Sequence, residues 1–320
     1  MMITARNASR WFIVSQALRK VLILMNLSWQ VGDTRITRIE ELLGPLFDPV
    51  QFFPAFDPEM LVEHKDWLFP NHVDAQSGRI IASMHAWLIE TPHHNILIDS
   101  CIGNDKDRTP YRNWHEMNTD WMARLQSTGL SPADIDYVLC THLHVDHVGW
   151  NTVWVNGTWQ PTFANARYVI AEAELRHLEA TLNAIDPTDE FALVNQKTYF
   201  DSIQPVLHQT DLVVHSQVLI SDRLNIDLTP GHTPGSLTIA LSSRGEEARF
   251  CGDICHHPLQ VYEPTMNSAY CELPEQAIAT RLALLEDCAE NGHLLMPAHF
   301  GPSHAAKVHR RGDAFNLSWH

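Results

Sequence analysis

Short apolar runs that end in polar or titratable residues recur along this chain. Ile135-Asp136-Tyr137-Val138-Leu139-Cys140 is too short for a typical helix and reads as a buried strand. Arg223 to Leu228 alternates polar and apolar residues, the period of a half-buried strand. Ala248-Arg249-Phe250-Cys251 predicts a further strand that ends at Gly252-Asp253, and Leu294-Leu295-Met296 one that ends at Pro297-Ala298-His299. A helix is expected over roughly Pro274 to Asn291. Trp154 and Trp159 flank Asn156-Gly157, a turn signal that predicts a surface hairpin. Between Leu46 and Pro70 lies a Pro-punctuated segment carrying Phe47, Phe52, Phe53, Phe56, Trp67 and Phe69. Irregular segments with this many aromatics either plug a core or wall a binding pocket.

The residues that close these runs carry chemistry. His142-Leu143-His144-Val145-Asp146-His147 follows the first strand directly. Alternate side chains of an extended segment share a face, so His142 and His144 can reach one ion together. The chain then turns, and Asp146 and His147 project elsewhere, towards a second site beside the first. Mixed nitrogen and oxygen ligands without cysteine suit catalytic zinc or a similar divalent ion. With 20 His in the chain, short clusters also arise by chance, and His93-His94 and His256-His257 are candidates for that. Further along, Thr229-Pro230-Gly231-His232-Thr233-Pro234-Gly235 holds His232 in a rigid turn. Asp253 and His299 each end a strand. Any one of these could be a turn His or a capping Asp; as an ordered set they point to a metal centre.

Composition narrows the field. At 320 residues the chain can bury a large core, and no linker divides it. Candidate ligands spread from 142 to 299 imply one domain over 26–320, with 1–25 as an N-terminal extension. That extension holds Arg6, Arg10, Arg19 and Lys20 and no acid. Its apolar runs are too short to span a bilayer, which leaves a targeting or interfacial helix, a locally packed or disordered segment, or a natural start at Met25. The net charge of −16 argues against a nucleic-acid partner. Six Cys without a Cys-x-x-Cys pair suggest core thiols in a reducing, cytoplasmic compartment, although Cys255 could approach the metals.

Together these residues resemble the metallo-β-lactamase-fold superfamily from about Ile36 to about His304. The features that carry the resemblance are Ala86-Trp87-Leu88-Ile89 with Asn95-Ile96-Leu97-Ile98-Asp99, the His-x-His-x-Asp-His segment, the Gly-His-Thr-Pro-Gly turn, Gly252-Asp253 and Ala298-His299. The resemblance implies an α/β four-layer αββα sandwich with metals at one edge. It assigns His142, His144 and His232 to one ion, and Asp146, His147 and His299 to a second, with Asp253 bridging. Zn2+ is the expected ion, with Mn2+, Co2+ or Fe2+ as alternatives. Zinc β-lactamases of the family generally lack the bridging Asp, and its oxygen-reducing diiron branch usually has Glu where His144 stands.

The branch most similar comprises acyl-homoserine lactonases and methyl parathion hydrolase. It implies that a metal-bridging hydroxide attacks a lactone or carboxylic ester. Phosphotriester or glyoxalase II-like thioester hydrolysis, and a catalytically silent metal-binding domain, are the alternatives. Asp146 is the candidate proton acceptor. His256 stands where several lactonases have a substrate-binding Tyr and is the candidate donor to the substrate oxygen. Because the superfamily places early loops over the metals, Phe52 and Phe53 become pocket-wall candidates, with Trp150 and His257 beside them. A small-molecule substrate is expected, as are no membrane association and a possible homodimer.

Overall fold

A computed structural model describes residues 26–220, 223–312 and 314–320; the extension expected over 1–25 lies outside the described residues. Sixteen strands are described. The first sheet contains β1 (Ser28–Val31), β2 (Thr34–Phe47), β3 (Ile80–Glu90), β4 (Asn95–Ile98), β5 (Tyr137–Leu139), β8 (Arg167–Ala171) and β9 (Thr210–Val213), hydrogen-bonded in that order. The second contains β10 (Gln217–Ile220), β11 (Leu224–Leu228), β12 (Leu237–Ser243), β13 (Glu246–Phe250), β14 (Leu294–Met296), β15 (Ala306–Arg311) and β16 (Ala314–Trp319), again in order. Most pairs are antiparallel; the parallel ones are β4–β5, β5–β8 and β8–β9 in the first sheet and β13–β14 in the second. The remaining two strands, β6 (Thr152–Val155) and β7 (Thr158–Pro161), form the hairpin expected around Asn156-Gly157, with Trp154 paired across from Trp159.

The two-residue period of the strands sorts side chains into layers. Ile96 and Ile98 point into a core shared by both sheets, where they join Trp29, Trp87, Leu139, Ile226, Ile239, Phe250 and Met296. Leu97 points the other way, into a second cluster with Val138, Tyr168 and the helical residues Leu175 and Leu178. These last two lie on α1 (Glu172–Leu182). On the outer face of the second sheet, Leu284, Leu285 and Cys288 of the long helix pack against Leu295 and Val308. That helix spans Pro274–Asn291, as expected, and ends at Gly292, whose φ of 69° suits a glycine helix terminator. Helix, sheet, sheet and helix are therefore stacked, the αββα sandwich. No helix among the described residues is long and apolar enough to cross a membrane.

Candidate metal centre

Every candidate ligand sits in a loop that leaves the end of a strand. His142, His144, Asp146 and His147 follow β5, His232 follows β11, Asp253 follows β13 and His299 follows β14. The two sheets bring these loops together at one edge of the sandwich. His142, His144, His232 and Asp253 form one group, and Asp146, His147 and His299 another; within each group one potential ligand atom per residue lies within 4.8 Å of the others.

Asp253 stands between them. Its Oδ2 is 3.4 Å from His232 Nε2 and 3.7 Å from His142 Nε2. Its Oδ1 is 3.0 Å from His299 Nε2 and 3.4 Å from His147 Nε2. Asp146 completes the second group, with 3.6 Å to His299 Nε2 and 3.7 Å to His147 Nε2.

The donor set fits divalent cations. His232 Nε2 and His144 Nδ1 are 3.0 Å apart, and His299 Nε2 and His147 Nε2 3.2 Å. A neutral imidazole has one N–H and one lone pair, so each pair can either share a proton or turn both lone pairs to one cation. His142 Nε2 and Asp253 Oδ1 are buried with no hydrogen-bond partner, which is costly for polar atoms unless an ion occupies them. Burial pushes His142 and His232 well below the ordinary imidazole pKa, which leaves them neutral, as metal ligation requires. Burial opposes ionisation of Asp253, but the charges of His299 and His147 beside it outweigh burial and hold the carboxyl well below its usual range.

Outer partners fix the rings. Asp99 leaves β4 with φ 58°, a left-handed conformation that Asp tolerates. Its Oδ2 is 2.8 Å from His147 Nδ1 and accepts from Thr141 Oγ1 at 2.8 Å; Thr141 Oγ1 is in turn 3.1 Å from His142 Nδ1. His299 Nδ1 donates to the Ser83 carbonyl at 3.0 Å. Glu174, buried on α1, ties two ligand loops together by accepting from Leu143 N and Gly235 N, both at 3.0 Å. The approach is so close that a Cβ on Gly235 would lie 2.3 Å from Glu174 N, so only glycine fits there.

Above the centre lies a cavity of about 690 Å3. Asp146, Asp253 and His256 line it at the metal end, with Phe47, Phe52, Tyr111, Trp114, Phe191 and Tyr270 among its other walls. His256 Nε2 is 3.1 Å from Asp253 Oδ2, while its buried Nδ1 has no partner.

Of the expected pocket residues, only Phe52 reaches this cavity. Phe53 is fully buried in the neighbouring apolar cluster, because consecutive residues at the end of a helical turn diverge. His257 turns away from His256 in the same manner, its Nε2 3.0 Å from the His72 carbonyl. Trp150 is a core residue: a turn at Gly149–Asn151 points it inward, where it stacks on Trp121 with centroids 5.1 Å apart and donates to Glu41 at 2.7 Å. Cys255 is buried in the core under the second sheet, where burial pushes its thiol up to about 11. Tyr111, Trp114, Phe191 and Tyr270 were not anticipated. Asp99 could have been, since it ends an apolar run just as the ligands do.

Comparison with known proteins supports the family. Residues 84–299 match the description of the Metallo-beta-lactamase superfamily. The chain belongs to it. This superfamily hydrolase shares its fold with AidC, a dizinc quorum-quenching lactonase solved with N-hexanoyl-L-homoserine as product. The TM-score is 0.74 at 18% identity, covering 92% of this chain and 97% of AidC. AbOPH, a hydrolase of the beta lactamase superfamily, gives a TM-score of 0.74 at 22% identity over 91% of this chain and 96% of its own. An AiiA variant from B. thuringiensis, with N-decanoyl-L-homoserine bound at its active site, gives 0.58 at 16% identity over 85% and 94%. No curated protein is similar enough in sequence to match.

Proposed function

We propose that this chain is a dinuclear metal-dependent hydrolase of lactones or carboxylic esters with an apolar or aromatic portion. The observation that carries the reading is Asp253, whose two oxygens face two separate groups of ligand atoms. His142, His144 and His232 would hold one ion, Asp146, His147 and His299 the other, and Asp253 both, with Zn2+ as the expected metal. When bound, such a pair supplies a nucleophilic water at neutral pH and polarises the substrate oxygen.

The chain's own residues do the rest. The aromatic walls take up the apolar part of the substrate and exclude water. Asp146, which borders the cavity, accepts a proton and passes it to the departing alkoxide. His256 Nε2, which lies 3.1 Å from Asp253 at the metal end of the cavity, is the nitrogen from which a hydrogen bond is donated towards the substrate oxygen. The product complexes of AidC and AiiA favour the lactone reading over phosphotriesters and thioesters. The substrate is a small molecule; the six free thiols are in keeping with a reducing, cytoplasmic setting.

A hydrolysis screen over lactones, aryl esters, phosphotriesters and S-acyl glutathione, with Zn2+, Mn2+ and Co2+ each supplied, tests the proposal. Turnover of lactones or esters is expected; turnover confined to phosphotriesters or thioesters would overturn the substrate class. Asp253→Ala is expected to lose metal and nearly all activity. His256→Ala should lower turnover while metal content holds, and unchanged turnover would remove its role.

A further inference from the structure

The buried imidazoles around Asp253 are not held equally. The side chains of His142, His147 and His232 are 1% exposed and that of His299 5%, whereas His144 is 27% exposed. Close packing surrounds the first four, and Thr141, Asp99 and Ser83 add directed contacts to His142, His147 and His299. His144 needs a directed partner.

Its inward nitrogen is Nδ1, 3.0 Å from His232 Nε2. A neutral imidazole that presents its lone pair on Nδ1 carries its proton on Nε2. That nitrogen faces Glu272, with Oε1 3.8 Å away, an ion-pair contact longer than a hydrogen bond. The other carboxylate oxygen of Glu272 is 2.5 Å from His177 Nε2. The Glu272 backbone is anchored independently, its N–H donating to the His232 carbonyl at 2.8 Å.

His177 lies three residues after Glu174 on α1, on the same helix face. Through Glu174 that helix ties the His144 and His232 loops together, and through His177 it steadies Glu272.

We propose that Glu272, held by His177, is the positioning residue for His144, and that this pair sets the affinity of the His142/His144/His232 group for its cation. The inference rests on the two-ion reading above. A carboxylate behind a ligating imidazole fixes its tautomer and ring orientation and raises its basicity, and loss of such a partner typically costs about 10–100-fold in metal affinity. Asp99 is placed to act in this way on His147; Glu272 would do so for the first group.

Zn2+ affinity of the metal-free full-length protein, measured by competition with a chromophoric chelator, is the test. Glu272→Ala should weaken one of two ions by about 10–100-fold, and Glu272→Gln, which keeps an acceptor oxygen without the charge, by less. His177→Ala should have a smaller effect, and the double variant should be no worse than Glu272→Ala alone. The visible spectrum of the Co2+ form should change in Glu272→Ala, while the metal-free melting temperature stays at the wild-type value. Wild-type affinity in Glu272→Ala, or a fall in the metal-free melting temperature without loss of affinity, would overturn the inference and leave the two-ion reading standing. Wild-type protein that takes up no divalent ion would overturn both.

Discussion

Glu174 offers the sharpest test of how this fold holds its site. Its carboxylate is buried, and each oxygen accepts one backbone N–H, from Leu143 in the β5 loop and from Gly235 in the β11 loop. Hydrogen bonds to a charged group are worth about 1.5–3 kcal/mol each, and a buried N–H left without a partner costs about 1–3 kcal/mol. Glu174→Gln keeps one acceptor but turns an NH2 towards the other N–H, so a loss of about 2–4 kcal/mol is expected. Glu174→Ala strands both amides and should cost about 3–5 kcal/mol. Part of any loss could come from removing an acid from the first turn of α1. Glu172→Gln controls for this: Glu172 is in the same turn, bound to Arg176 at the surface, and should cost about 0.5 kcal/mol or less. Urea unfolding of the metal-free protein, followed by tryptophan fluorescence, reads the difference. At a slope of about 3 kcal/mol per molar, a loss of 3 kcal/mol moves the midpoint by about 1 M. Exchange protection should fall at the Leu143 and Gly235 amides above all. Glu174→Gln unfolding at the wild-type midpoint, or Glu172→Gln losing as much, would refute the reasoning.

Phe191, on α2 (Glu190–Thr198), borders the cavity yet is 59% exposed, so Phe191→Ala should leave the melting temperature unchanged. It should raise KM about 5–10-fold for substrates with a long apolar chain, as expected if covering the ring contributes about 1–1.5 kcal/mol; an equal effect on short-chain substrates would count against an apolar subsite there. Burial raises the Glu41 carboxyl to about 7, against the donors Ile102 N, Trp150 Nε1 and Gly103 N. The folded state therefore binds more protons than the unfolded state between about pH 4.5 and 7, and stability falls with rising pH across that window, by about 3 kcal/mol. Glu41→Gln should flatten that part of the stability profile, and an unchanged pH slope in denaturant titrations would contradict this. Removing metal with a chelator should lower the melting temperature, since a ligand held at 1,000 times its Kd adds about 4 kcal/mol per site; identical scans with and without chelator would argue against ions at this site.

The strands that carry ligands were legible in the sequence by two signatures. β5 and β14 are short apolar runs, which burial on both faces produces, whereas β11 and β13 alternate, with one face buried. The ligands were legible for a related reason: strand ends are where a sheet hands its chain to the loops. The pocket walls were not, because a loop side chain points where tertiary contacts send it. Phe52 and Phe53 are adjacent and equally apolar, yet one meets the cavity and the other the core. Trp150 follows the ligand segment so closely that proximity in sequence suggests the pocket, but the acceptor for its N–H is Glu41 on β2, in the core. Glu174 and Glu272 left even less trace. A Glu on a helix normally reads as solvent-facing, and only the folded chain shows that two loops need its oxygens.

The arrangement of donors between sheets explains why such partners matter. The loop after β5, on the first sheet, supplies His142, His144, Asp146 and His147, while the second sheet supplies His232, Asp253 and His299. Neither sheet alone presents a complete group, since each group draws from both. A cation in either group would brace one sheet against the other at an edge where the apolar core ends and irregular loops begin. The residues behind the ligands follow the same division. Glu174 joins the two sheets' loops through backbone amides, Ser83 on β3 of the first sheet accepts from His299 of the second, and Trp87 donates to the Pro297 carbonyl just before it. The edge is thus cross-linked by directed hydrogen bonds, which is how a site built from well-separated stretches of chain can gather seven donors into two groups whose ligand atoms lie within 4.8 Å of one another.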